Sequence, residues 1–132
     1  MRFAKIVLRV IGAATLGFGL LSLLSPAALS DPAGFGALAP SALTDLRATY
    51  GGFQLGSGLF LLWAAGRAEA VRSALVLLAL SIGCVGLSRG YGMLVDGSAN
   101  GFHLFGIATE ASIALLALFA LRSAAPAAAR PA

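Results

Sequence analysis

Charged and sulfur-bearing residues are scarce in this chain of 132 residues. Charged residues make up only 11% of the sequence, against about 25% in ordinary soluble domains. A single cysteine, Cys84, excludes an intrachain disulfide. One histidine, one cysteine and scattered carboxylates do not supply the ligand set of a typical metal site, so we expect no metal. The basic residues lie at segment ends and form no patch, so we expect no nucleic-acid partner.

Hydrophobic residues make up 59% of the chain, and the mean hydropathy is +0.94. They form four runs, at about residues 6–24, 43–65, 73–95 and 102–121. Each run is close to the roughly 20 residues that a helix needs to cross a bilayer. None alternates polar and apolar residues as a barrel strand does. The sequence therefore predicts an all-α integral membrane protein, a four-helix bundle within one domain of residues 1–122.

The two ends of the chain and its longest linker have their own patterns. Arg2 and Lys5 before an apolar run also fit a signal peptide. Arg9 interrupts that run, so we expect residues 6–24 to be retained as the first helix. Residues 25–42 contain three prolines and are too broken for a long helix. The alanine- and proline-rich residues 123–132 predict a disordered cytoplasmic tail.

The basic residues also predict the orientation in the membrane. Cytoplasmic flanks of membrane helices are enriched in lysine and arginine. With both termini in the cytoplasm, seven basic residues lie on that side, namely Arg2, Lys5, Arg9, Arg67, Arg72, Arg122 and Arg130. The opposite side has only Arg47 and Arg89. We therefore expect both termini to be cytoplasmic.

Three ionisable residues, Arg47, Arg89 and Glu110, lie within or at the edges of the hydrophobic runs. A charge near the bilayer centre costs about 3 kcal/mol or more, so such residues usually pair and mark functional sites. At 1.5 Å per residue, Arg89 lies about 9 Å and Glu110 about 12 Å from the outer ends of their runs. Arg89 and Glu110 are therefore expected within reach of each other in the outer half of the membrane.

Further polar residues extend this set. Tyr50 and Gln54 share a helical face with Arg47, at spacings of three and seven residues. Asp96 ends the third run, and His103 lies seven residues before Glu110. We expect His103 to be an interfacial residue rather than a ligand. The sequence predicts a polar pocket that opens outward and is lined by Arg47, Tyr50, Gln54, Arg89, Asp96 and Glu110.

Small residues four apart favour close packing of helices in a membrane. Gly52 and Gly56 form such a row on the second run, and Gly86 and Gly90 form another on the third. Core packing is the expected role of these rows, and they indicate no chemistry.

Two segments resemble a bacterial family of small four-helix membrane proteins, known as the domain of unknown function number 4345. Residues 45–56, DLRATYGGFQLG, resemble its most characteristic segment, and residues 89–97, RGYGMLVDG, resemble the end of its third helix. Glu110 matches an acidic residue of its last helix, whereas Ser88 stands where glycine is usual. The family more distantly resembles the DoxX-like proteins. The resemblance implies a bacterial inner-membrane protein with no established activity. It also implies that the six pocket residues are recurrent polar positions.

Two functions follow from this pattern. The first is binding of a lipid, a quinone-like compound or another amphipathic molecule in the polar pocket. The alternative is a structural or assembly subunit of a larger membrane complex, in which the buried charges only lock the helices. We expect no enzyme and no cofactor, because no nucleophile–base pair or cofactor fingerprint is visible. The expected partners are the lipid bilayer with a lipophilic small molecule, a larger complex or a second copy of the chain.

Overall fold

A computed structural model describes residues 1–124 of the chain, and its regular segments in that range are helical without any strand. The α-helices are α1 (Arg2–Leu24), α2 (Ser30–Ala33), α3 (Pro40–Leu46), α4 (Phe53–Ala65), α5 (Ala68–Val95) and α6 (Gly101–Ser123). The all-α prediction is therefore confirmed. Of the predicted tail at residues 123–132, Ser123 ends α6, and residues 125–132 lie outside the described part.

Three helices, α1, α5 and α6, are long and apolar enough to cross a membrane. The second predicted run, residues 43–65, is not one α-helix. It comprises most of α3, a wide π-helical turn at Arg47–Gly52, and α4. The residues on both sides of the turn keep right-handed helical dihedrals, so the helical path is continuous from Pro40 to Ala65. A fourth membrane span stays a prediction.

The helix ends differ from the limits of the hydrophobic runs. Helix α5 begins at Ala68, five residues before the predicted start at residue 73. Its first turns carry Glu69 and Arg72, which hydropathy excludes from an apolar run. Glu69 in the first turn interacts favourably with the positive end of the helix dipole. Hydropathy therefore located the apolar part of this helix but not its polar beginning.

The linker between α1 and α3 has no long helix. A single 3₁₀ turn at Pro26–Leu29 precedes the one-turn helix α2. Gly34 and Gly36 follow with φ of 76° and 66°, values that L side chains rarely adopt. Three prolines and two left-handed glycines keep the linker irregular.

The described residues divide into two compact units. One comprises Met1–Arg9 together with the chain from Trp63 onward, and the other comprises Val10–Leu62. The predicted single domain of residues 1–122 and the bundle arrangement stay predictions.

In the unit Val10–Leu62, α1 lies against α4 and the π-helical turn at glycine positions. A Cβ added at Gly58 would lie 2.7 Å from the Leu16 nitrogen, and one at Gly19 would lie 2.7 Å from the Leu55 nitrogen. Since both neighbours are backbone atoms, only glycine allows this approach. Gly56 has open space around it, so the predicted row Gly52–Gly56 is not the close-packing face.

The other unit is built on the pairing of α5 with α6. On α5, Val71, Ala74, Leu75 and Leu78 are buried at the spacing of one helical face. Ala117 and Ala120 are the buried residues of α6 near its end, together with Glu110 further up the helix. Leucines outside this face, among them Leu77, Leu80, Leu115 and Leu118, are exposed. The pairing brings Arg89 of α5 next to Glu110 of α6.

We predict that Gly58→Ala destabilises the protein by about 2 kcal/mol, because its methyl group would overlap the backbone of α1 and force the helices apart. Unfolding by titration with sodium dodecyl sulfate in mixed micelles measures this loss. Gly56→Ala is the matched control, since its methyl group meets no atom within 4 Å. Equal stability of the two variants would contradict the close approach at Gly58.

Candidate functional site

Arg89 on α5 and Glu110 on α6 form an ion pair. The Arg89 Nη2 lies 2.6 Å from Glu110 Oε1, and the Arg89 Nε donates to both carboxylate oxygens at 3.0 Å. The Glu110 side chain is 11% exposed and that of Arg89 24%. A guanidinium that binds a carboxylate through two nitrogens makes one of the strongest and most directional contacts in proteins. The two side chains therefore hold each other in one geometry.

Two glycines make room for this pair. A Cβ at Gly106 on α6 would lie 2.8 Å from the Arg89 Nε and 3.0 Å from its Cζ. A Cβ at Gly86 on α5 would lie 3.3 Å from the Glu110 Cβ. Each charged side chain thus lies against a glycine of the opposite helix, and the guanidinium occupies the space that a side chain at position 106 would fill.

His103 is the third member of the cluster, because its Nδ1 lies 3.2 Å from the Arg89 Nη1. The start of α6 fixes its position. Asn100 is the N-cap, and its side-chain oxygen accepts a hydrogen bond from the His103 backbone nitrogen at 3.0 Å. Asparagine is among the preferred N-cap residues because it satisfies an otherwise unpaired N–H group. The capped turn brings the imidazole to Arg89.

The end of α5 forms the other side of the cluster. Asp96 is the C-cap, its N–H donates to the Gly92 carbonyl oxygen at 2.8 Å, and Gly97 follows with a φ of 61°. A glycine with positive φ just after a helix is a common way to end it. The turn from Asp96 to Asn100 therefore reverses the chain beside Arg89 and His103.

An open cavity of about 400 Å³ lies at this end of the α5–α6 pair. Two of the predicted residues, Arg89 and Asp96, line it, whereas Glu110 lies behind Arg89 and is not in its lining. The complete lining is Ser88, Arg89, Gly92, Met93, Asp96, Ser98 and His103. The cavity combines one ion-paired cation, one carboxylate, two hydroxyl groups, an imidazole and a thioether.

The other three predicted residues, Arg47, Tyr50 and Gln54, belong to the unit Val10–Leu62. The Arg47 Nε donates to the Leu23 carbonyl oxygen at 3.2 Å. The last carbonyl groups of a helix lack partners within that helix, so this contact caps the end of α1. One pocket that combines the six predicted residues stays a prediction.

Tyr50 and Gln54 have different surroundings. Tyr50 packs edge-to-face on Phe18, with ring centroids 6.5 Å apart. It also lines a shallow cavity of about 250 Å³, together with Phe35 and Asp45 among others. Gln54 is half-buried on α4, in the part of that helix closest to Gly19.

Sequence reasoning missed the contact between His103 and Arg89. The signal for His103 was its spacing of seven residues from Glu110, which places both on one helical face. The asparagine three residues earlier was a further signal, because it predicts where α6 begins. No pattern in the sequence pointed to Gly106, Ser88, Met93 or Ser98.

Hydrogen bonds hold the cluster together. Among the described side chains, which are those of residues 1–124 except Asp31, no three His, Cys, Asp or Glu residues come close enough to hold a metal ion. In the same set, every buried side-chain nitrogen or oxygen has a hydrogen-bond partner. The charged groups of Arg89 and Glu110 therefore have their partners within the protein. The other polar side chains that line the open cavity are those able to contact a ligand.

Comparison with known proteins identifies the family. The family model described as Domain of unknown function (DUF4345) matches residues 3–121. The chain belongs to this family. No curated protein and no solved structure matches the chain. The matched residues, 3–121, include every residue of the α5–α6 site.

We predict that Glu110→Ala destabilises the protein by about 3 kcal/mol, because Arg89 would keep its charge in a largely buried place and lose the carboxylate that it binds through two nitrogens. The partial exposure of Arg89 puts this value at the lower end for a buried pair. Titration with sodium dodecyl sulfate in mixed micelles measures the change.

Two variants complete this test. Glu69→Ala removes an exposed carboxylate from the first turn of α5 and should cost no more than about 1 kcal/mol, the usual size of its interaction with the helix dipole. The double variant Arg89→Met with Glu110→Leu should regain most of the loss, because no unpaired charge remains. A Glu110→Ala variant as stable as wild type would show that the pair does not hold α5 on α6.

Proposed function

We propose that this protein is a four-span protein of the bacterial inner membrane that binds a lipid-like or other amphipathic molecule at the α5–α6 cavity. The observation that carries the proposal is the position of this cavity. It has a polar lining and lies at the end of two helices that are apolar enough to cross a membrane. The proposal assigns no enzymatic step and no cofactor.

The helical path from Pro40 to Ala65 supports the fourth span. At about 1.5 Å per residue it reaches roughly 35–39 Å, more than the ~30 Å hydrocarbon core. The wide turn at Arg47–Gly52 is itself helical, and Leu46 and Phe53 on either side of it have right-handed helical dihedrals. Arg47, near its outer end, has a hydrogen-bond partner in the Leu23 carbonyl oxygen. The span therefore carries no unsatisfied guanidinium.

The charge distribution supports cytoplasmic termini. Helix α5 begins beside Arg67 and Arg72, and α6 ends at Arg122 and Ser123. The opposite ends of both helices meet at the turn from Asp96 to Asn100, which has no lysine or arginine. The positive-inside rule therefore places this turn, and the cavity beside it, on the non-cytoplasmic side.

The surroundings of the cavity favour an amphipathic occupant. A volume of about 400 Å³ suits a head group, since ligand pockets range over about 300–1,000 Å³. Next to it on α5, Leu87, Tyr91 and Leu94 are 77%, 68% and 85% exposed. An apolar chain would lie along this surface while its polar head occupies the cavity. Polar residues in membrane helices commonly mark such sites.

The second candidate is an assembly subunit, and the direct contact of Arg89 with Glu110 favours it. A buried ion pair that satisfies itself needs no ligand to explain its presence, and polar pairs commonly join membrane helices. The exposed apolar side chains of α5 and α6 would then pack against a partner protein or a second copy. The two candidates differ in what fills the cavity.

We predict the topology from cysteine labelling in a Cys84→Ala background. Ala37→Cys and Ser98→Cys should react with a membrane-impermeant maleimide in intact cells, whereas Ala68→Cys should react only after permeabilisation. The three positions lie before α3, in the α5–α6 turn and at the start of α5. Ala37 and Ala68 reacting on the same side would exclude a span at residues 40–65. The opposite labelling pattern at all three positions would show that the orientation in the membrane is the reverse.

We predict that Met93→Trp removes a co-purified lipophile without loss of thermal stability. Met93 lines the cavity, and an indole there would fill much of a head-group site. Mass spectrometry of organic extracts of the purified protein measures the retained molecule. Leu94→Trp is the matched control, because Leu94 is 85% exposed on the next position of the same helix and does not line the cavity.

The outcomes separate the two candidates. Loss of one lipophile in Met93→Trp alone supports binding at the cavity. The same lipid content in wild type and both variants, together with co-purification of a defined protein partner, would support the assembly subunit instead.

A further inference from the structure

The guanidinium of Arg89 is not available as an anion receptor. Its Nε and Nη2 bind the Glu110 carboxylate, and its Nη1 binds the His103 Nδ1. Each of its three nitrogen atoms thus already has a partner within the protein. An anionic head group would have to compete with a carboxylate held through two nitrogens, which is among the strongest partners for arginine.

The contact with Arg89 also fixes the state of His103. A guanidinium has only donors, so the His103 Nδ1 must be the acceptor. An imidazole that accepts at Nδ1 is neutral and carries its hydrogen on Nε2. In this arrangement the Nδ1 lone pair of His103 is used by Arg89 and is not available to a ligand.

Asp96 is the one carboxylate in the lining of the cavity, whereas the Arg89 guanidinium in the same lining already binds Glu110. Within residues 1–124, no side-chain hydrogen bond or ion pair engages this carboxylate. It lies at the exposed end of α5, with its Oδ2 3.6 Å from the position that a Cβ on Gly92 would occupy. The cavity also has the hydroxyl groups of Ser88 and Ser98.

We propose that the cavity takes the protonated amine head of an amphiphile, bound by the Asp96 carboxylate and the serine hydroxyl groups, and rejects anionic heads. This inference rests on the proposed binding function and specifies the class of head group. An ammonium has three donors and no acceptor, so it matches a carboxylate and two hydroxyl oxygens. Arg89, one of the two arginines that the sequence predicted to line a pocket, instead binds Glu110 and His103.

The test uses amphiphiles of equal chain length in competition. Hexadecylamine, hexadecanol and palmitate are added at equal mole fractions to the protein in neutral detergent micelles, and native mass spectrometry counts the bound adducts. Propylamine, added alone, distinguishes a free amine from an amphiphile. We expect hexadecylamine to dominate the adducts in the competition, and propylamine alone to give no adduct.

Two carboxylate variants locate the binding. Asp96→Asn should lower hexadecylamine binding roughly fivefold, the effect of losing an ion pair of about 1 kcal/mol at a mostly exposed position. Asp45→Asn is the matched control, because it removes an exposed carboxylate in the other compact unit. It should leave hexadecylamine binding unchanged. Met93→Trp should abolish the adducts that depend on the cavity.

The outcomes distinguish this inference from the proposal on which it rests. Preferential binding of palmitate or hexadecanol that Met93→Trp abolishes would overturn the amine assignment and leave a binding cavity. Equal effects of Asp96→Asn and Asp45→Asn would also overturn it. The absence of any adduct that Met93→Trp removes would overturn both.

Discussion

The contact between Arg89 and Glu110 is the interaction on which the rest of this site depends. Two charged groups on neighbouring apolar helices would each be costly in a membrane, and their direct pairing removes most of that cost. The pairing requires the helices to be close, which Gly86 and Gly106 allow. It also sets the level at which α5 and α6 meet, and so the place of the turn that joins them.

The ion pair has a further consequence for the chemistry of the cavity. Glu110 and His103 bind the Arg89 guanidinium. The polar groups of the cavity lining that remain open to a ligand are therefore those of Asp96, Ser88 and Ser98. Replacing a buried ion pair with apolar residues of similar volume can keep a fold. Here such a replacement would also remove the guanidinium from the lining of the cavity.

The two compact units use different means to bring helices together. In the unit Val10–Leu62, glycine backbones of α1 and α4 touch, and their packing depends on shape. In the unit built on α5 and α6, alanine packing at one end is combined with a polar cluster at the other. Close contacts at small residues and contacts between polar side chains both join helices in membranes. In the α5–α6 pair, the polar cluster also lies beside an open cavity.

Most of the fold class followed from hydropathy. Three hydrophobic runs of about 20 residues correspond to single long helices, because backbone hydrogen bonds in an apolar solvent leave few alternatives to a helix. The wide turn at Arg47–Gly52 was not predictable in the same way. Its residues are compatible with an ordinary α-helix, and its geometry accompanies the contact of Gly51 with Leu23 on another helix.

The sequence by itself determined which charged residues lie within apolar runs, and the helical rise predicted how far each lies from the end of its run. From these distances the sequence predicted that Arg89 and Glu110 come within reach of each other, and the structure shows their contact. Tertiary structure alone decided that His103 completes the pair, that Arg47 caps α1, and that Gly58 rather than Gly56 is the contact glycine. These facts depend on the rotation of each helix about its own axis. Packing between side chains sets that rotation, and a mostly apolar helix carries too little periodicity to reveal it.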